Sequence, residues 1–156
     1  MDSDEGLKCL VRGATFNDLS AVMRIERRSF RYPYPETVFL STLILHPQLF
    51  LVIECGEAVA GYITGYITGE GCCHIASVAV DPSLRRKGLG RMLLKTFEGR
   101  CVEAGAEYVW LEVSVFNDDA IRLYRKLGYE VVDRLPNYYP DSDAYLMRKL
   151  LKTQTS

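Results

Sequence analysis

The chain has 156 residues, with 19 lysines and arginines against 20 aspartates and glutamates, for a net charge of −1 at pH 7. That length suits one domain with a sizeable core, and the balanced charge gives no global reason to bind nucleic acid, an anionic membrane or an acidic partner. No apolar run approaches the roughly 18–20 residues of a membrane span, and the N-terminal MDSDEGLK is acidic without a long apolar core, so a soluble, cytoplasmic protein is expected. Cys9, Cys55, Cys72, Cys73 and Cys101 form an odd set without Cys-x-x-Cys spacing or a histidine at zinc-finger distance. They read as reduced thiols, and although His74 stands beside Cys72 and Cys73, no metal is expected.

In chain order, CLVRGAT (9–15) predicts a short strand, and 16–29, with Leu19, Val22, Met23 and Ile25 at helical spacing, predicts a helix capped by Asn17 or Asp18. FRYPYPET (30–37) breaks that helix, and a second short one follows over 36–46. LFLVIEC (49–55), AVAGYITGYI (58–67) and CCHIASVAV (72–80) are β-branched, apolar strands joined by tight turns. From Gly88, the residues Leu89, Met92, Leu93, Phe97 and Cys101 predict an amphipathic helix ending near Gly105. A strand over 107–116, a helix over 118–128 and closing strands over 129–135 and 144–151, joined by the loop PNYYPDSD, complete the chain. The order describes a mixed α/β domain around a partly antiparallel sheet.

SLRRKGLGRMLL (83–94) sets cations and two glycines between a strand and a helix. A helix N-terminus leaves amide N–H groups without helical partners, and its dipole favours an anion. Gly88 and Gly90 let a ligand approach, and Arg85, Arg86, Lys87 and Arg91 add charge, so a phosphate or diphosphate is the natural guest. The P-loop is excluded because Arg91-Met92 follows the glycines, and the dinucleotide fingerprint because Leu93 stands where a third glycine belongs. Taken alone, a solvated basic loop remains the alternative.

VAVDPSLRRKGLGRMLL resembles the acetyl-CoA motif of the GNAT superfamily of N-acetyltransferases, Arg/Gln-x-x-Gly-x-Gly/Ala, with Arg85, Gly88 and Gly90 in register, and LEVSVFNDDAIRLYRKLGYEVV resembles its second block. The likeness runs from Leu7 to Leu150. Through HIASVAV, RRKGLG, LEV followed by Asn117, NYYP and DAYLM, it is strongest to the protein N-terminal α-amino acetyltransferases, of both the ribosomal-protein alanine type and the archaeal catalytic-subunit type. The resemblance implies a GNAT fold, with a mostly antiparallel sheet of six to seven strands and about four flanking helices. It also implies one N-acetyltransferase domain over 1–156, with a core of about 7–151 and short flexible termini.

By that resemblance, the amides of 86–91, including Leu89 and Gly90, cradle the acetyl-CoA diphosphate. The backbone of Val78, Ala79 and Val80 pairs with the pantetheine arm, though the valine side chains read equally as core. Asn117 contacts the cofactor or serves only as a helix cap. Tyr124 matches the tyrosine beside the CoA sulfur, where a phenol assists the departing thiolate; packed aromatic is the alternative. Glu112 shares a face with Trp110, Ser114 and Phe116, an apolar flank that makes it a stronger base, and it stands where the ribosomal-type enzymes carry a glutamate base. A solvated strand carboxylate is its alternative. His74 relays a proton through water or is merely a satisfied strand histidine.

Tyr32 and Pro33 in one loop, and Tyr138 and Tyr139 in the other, match the segments that flank the peptide in the N-terminal enzymes; otherwise they cover the end of the sheet. The implied activity is acetyl transfer from acetyl-CoA to protein N-termini in a ternary complex, with no acyl-cysteine and no metal. An auxiliary subunit or ribosome contact and a monomer or weak homo-oligomer accompany it, with no direct nucleic acid or membrane contact. The alternatives are a lysine or small-amine acetyltransferase of the same fold and a non-catalytic CoA-binding module.

Overall fold

The computed structural model describes residues 8–151; residues 1–7 and 152–156, which include the termini expected to be flexible, lie outside the described residues. Seven strands form one sheet in the order β1-β2-β3-β4-β5-β7-β6. They are β1 Cys9–Gly13, β2 Phe50–Cys55, β3 Ala58–Thr68, β4 Cys72–Val80, β5 Tyr108–Ser114, β6 Glu130–Tyr139 and β7 Ser142–Leu150. The helices are α1 Leu19–Ser29, α2 Glu36–Leu45, α3 Leu89–Glu103 and α4 Asp118–Lys126. β1–β2, β2–β3, β5–β7 and β6–β7 pair antiparallel, whereas β4 and β5 run parallel. The expected element order and mixed fold class therefore hold. Among the described residues no helix is long and apolar enough to cross a membrane.

By its contacts the chain divides into two units, one holding the described residues up to Gly65 with Ser77–Phe97, the other Tyr66–Ala76 with the described residues from Glu98 onward. In the first, α1 and α2 turn Leu19, Val22, Met23, Ile25, Phe39 and Leu43 onto Phe50, Val52, Tyr62 and Ala79. Phe39 meets Tyr62 edge-on at 5.7 Å. Asp18 directly precedes α1 as expected, but its carboxylate turns back to Thr15, accepting from the backbone N–H at 2.8 Å, and receives Arg12 in a two-point contact at 2.8 and 3.0 Å. Arg12 chiefly holds that carboxyl below the usual range.

Two expectations are corrected. The five cysteines are not all reduced thiols: Cys9 and Cys55 are disulfide-bonded, because the β1–β2 register sets them opposite each other with Cα atoms 4.1 Å apart. Cys72, Cys73 and Cys101 are free thiols. Nor is PNYYPDSD a long loop. β6 continues through Pro136 to Tyr139, and β7 begins at Ser142. β6 is an edge strand, where proline is tolerated, and the irregular register between Leu135 and Tyr139 absorbs it. Asp143 fastens the hairpin, accepting from Asn137 N–H at 2.9 Å and Arg134 Nε at 2.9 Å.

Candidate active site

In the first unit, β4 alternates half-buried Val78 and Val80 with buried Ala79. The valines are thus neither wholly core nor wholly exposed. At the strand's end the Asp81 N–H donates to the Ala60 carbonyl at 2.7 Å. The Asp81 carboxylate accepts from Ser83 N–H at 3.0 Å, a bond that holds its carboxyl below the usual range. The chain then passes through two left-handed residues, Arg86 (φ 67°) and Gly88 (φ 79°), before α3 starts at Leu89. Leu89 is buried and anchors the turn, while Arg85, Arg86, Lys87 and Arg91 are exposed. Only Gly88 of the two glycines needs its freedom at φ, since Gly90 lies in the first turn of α3. A left-handed turn with four cations at a helix start fits a diphosphate. Tyr32 and Pro33 sit exposed between α1 and α2.

In the second unit, the parallel β4–β5 register pairs His74 with Trp110. Side chains of β5 alternate, with Val109, Leu111 and Val113 buried and Trp110, Glu112 and Ser114 half-buried on the opposite face. This brings Glu112 Oε1 to 2.8 Å from His74 Nε2. The expected flank differs: Phe116 lies beyond β5 and is 76% exposed, because the strand ends at Ser114 and the chain turns. Tyr66 of β3 supplies an aromatic contact instead, its ring parallel to the His74 imidazole within 5° at 5.3 Å. Burial pushes the Tyr66 phenol up, and the Glu112 charge adds to the shift. Tyr66 was missed in the sequence because it reads as one more aromatic of an apolar strand.

Tyr124 is buried on α4, with its ring edge-on to Tyr129 at 5.9 Å, and burial pushes its phenol well up. Asn117 caps α4, its side chain accepting from Ala120 N–H at 3.3 Å, so the cap role exists whatever else the amide does. Tyr138 and Tyr139 pack edge-to-face at 4.9 Å on the β6 hairpin. The structure thus joins His74 to Glu112 and Tyr138 to Tyr139, and adds Tyr66 to the first pair. Among the described residues, no group of three or more His, Cys, Asp or Glu side chains could hold a metal.

Residues 19–129 match the model of the acetyltransferase (GNAT) family. The chain is similar to an N-alpha-acetyltransferase of Sulfurisphaera tokodaii, 35% identical over 94% of this chain and 95% of that protein. It is likewise 35% identical to the [ribosomal protein bS18]-alanine N-acetyltransferase of Escherichia coli, over 81% of this chain and 84% of the relative. Among solved structures, Ard1 from Thermoplasma volcanium superposes with a TM-score of 0.89 at 34% identity, over 92% of this chain and 98% of the other.

Proposed function

Because this chain belongs to the acetyltransferase (GNAT) family, we propose that it is a protein N-α-acetyltransferase, passing an acetyl group from acetyl-CoA directly to the α-amine of a protein N-terminus. Similarity to relatives named for N-α- and ribosomal-protein alanine acetylation supports that acceptor. The donor set fits the cofactor: amides of 86–91 would hold the diphosphate, with Arg85, Arg86, Lys87 and Arg91 supplying charge and the backbone of Val78, Ala79 and Val80 the pantetheine contacts. Bound acetyl-CoA supplies an acetyl thioester open to attack by an amine.

The observation that carries the reading is the 2.8 Å contact between His74 Nε2 and Glu112 Oε1. An attacking amine must shed a proton, and this pair offers a carboxylate oxygen and an imidazole through which to accept it. An α-amine titrates at about 7.7–8 and a lysine amine at about 10.4, so roughly a tenth of the former but under a thousandth of the latter is neutral at pH 7. A modest base therefore suits N-termini. The Tyr124 phenol, pushed up by burial, keeps its proton at neutral pH and, with acetyl-CoA bound, would be the hydrogen-bond donor to the departing thiolate. Asn117 assists cofactor binding, and Tyr32, Pro33, Tyr138 and Tyr139 hold the peptide. The chain works as one domain in the cytoplasm, as a monomer or weak homo-oligomer, alone or with an auxiliary subunit or ribosome contact.

Steady-state rates on an N-terminal peptide test the assignment. Glu112→Gln combined with His74→Phe should lower kcat by about 10²–10⁴-fold while leaving acetyl-CoA affinity near wild type. A double variant with wild-type kcat would remove the base from the account.

A further inference from the structure

Glu26 has no part in the chemistry above, yet it is a carboxylate 1% exposed inside α1, whose other inward positions are Leu19, Val22, Met23 and Ile25. A buried carboxylate is costly unless its oxygens find donors. Here Oε1 accepts from the Tyr62 hydroxyl and from Ser77 Oγ at 2.7 Å. Oε2 accepts from the backbone N–H of Tyr34 at 3.0 Å. The carbonyl of the same residue takes the N–H of Phe30 at 3.1 Å, closing α1. In Pro33-Tyr34-Pro35 the prolines have no N–H, so Tyr34 offers the one backbone donor of the three, and Glu26 takes it. A single residue thus fixes the chain leaving α1 at both Phe30 and Tyr34, and the exposed Tyr32 and Pro33 lie between those anchors.

We propose that Glu26 is a positioning residue for the acceptor: it clamps the 30–34 segment from within, so that Tyr32 and Pro33 are presented to the peptide in one conformation. The inference rests on the N-α-acetyltransferase reading, which assigns those two residues to the peptide. Fixing the segment in advance removes its ordering cost from peptide binding, so the effect appears in peptide KM rather than in the chemical step.

Glu26→Gln tests this with little change of shape. If the remaining oxygen keeps Tyr62 and Ser77, the new NH₂ meets the Tyr34 N–H donor to donor. Loss of a hydrogen bond to a charged group is worth about tenfold or more in a local equilibrium. Exchange of the Tyr34 amide with solvent deuterium should accelerate by about tenfold or more. Peptide KM should rise about fivefold or more, with kcat and acetyl-CoA KM within about twofold of wild type. Ser77→Ala, which removes a donor to Oε1 and leaves the clamp on Tyr34, should keep both the Tyr34 protection and the peptide KM. Unchanged Tyr34 exchange in Glu26→Gln, unchanged KM despite faster exchange, or an equal KM rise in Ser77→Ala would each overturn the proposal. If the wild-type protein modified lysine side chains and not N-termini, the acceptor assignment would fall; the Glu26 criteria would then be read on the KM of the lysine peptide.

Discussion

Gly61 lies in β3 where the sheet has no room for a side chain. A Cβ there would stand 2.8 Å from the Ala79 carbonyl oxygen and 3.3 Å from both Ile53 Cγ2 and Leu93 Cδ1. The two methyl groups have some freedom to shift, but the carbonyl is backbone and moves only with β4. Overpacking of this kind costs about 1–3 kcal/mol, which for a chain of this size is a fall in Tm of roughly 2–12 °C. Because Ala79 lies between Val78 and Val80, the displaced strand is the one assigned to the pantetheine arm, so acetyl-CoA binding should weaken as well. Gly69→Ala, where nothing lies within 4 Å, is the control and should stay within about 0.5 kcal/mol. Thermal melts and calorimetric titration with acetyl-CoA measure both effects. A Gly61→Ala protein with the melting point and affinity of Gly69→Ala would refute the steric argument.

Cys9 and Cys55, 46 positions apart, close a loop whose constraint on the unfolded chain is worth about 4 kcal/mol. Cys55→Ala should lower the urea midpoint accordingly while leaving turnover in place, and a wild-type midpoint indifferent to reductant would show that the bond contributes nothing. Asp18 and Asp81 are held below the ordinary carboxyl range, by Arg12 and by the Ser83 N–H respectively. Their stabilisation is present above the unfolded aspartate pKa of about 3.9 and is lost as pH falls through their lower folded values. Asp18→Asn should therefore reduce the acid-dependent part of the loss in urea titrations at and below pH 4, and an acid profile parallel to wild type would contradict it. Tyr124→Phe should lower kcat by about 10²-fold, the low end for acid assistance, with peptide KM unchanged, and a wild-type rate would leave Tyr124 as core packing.

The elements were legible wherever periodicity was strong: Leu19, Val22, Met23 and Ile25 do face the core from α1, and the alternation of β5 puts Glu112 on the half-buried face. What escaped was set by register and by edge position. Nothing local ties Cys9 to Cys55, since their contact exists only through the β1–β2 pairing. Pro136 argues for a loop until β6 proves to be the edge strand. Glu26, flanked by Arg24, Arg27 and Arg28, reads as part of a charged helix face, and only the fold reveals Tyr62, Ser77 and the Tyr34 amide around it. Tyr66 escaped because its meaning depends on the ring across the sheet, not on its own neighbours in sequence.

Which amine accepts the acetyl group, the α-amine or a lysine side chain, is read by mass-spectrometric localisation of the acetyl group. Wild-type protein is incubated with acetyl-CoA and a peptide carrying both a free N-terminus and an internal lysine, beside the same peptide with its N-terminus blocked. The α-amine of the first peptide should be acetylated, and the second peptide should carry no acetyl group from the enzyme. Acetyl groups on the lysine side chain at comparable rates in both peptides would contradict it.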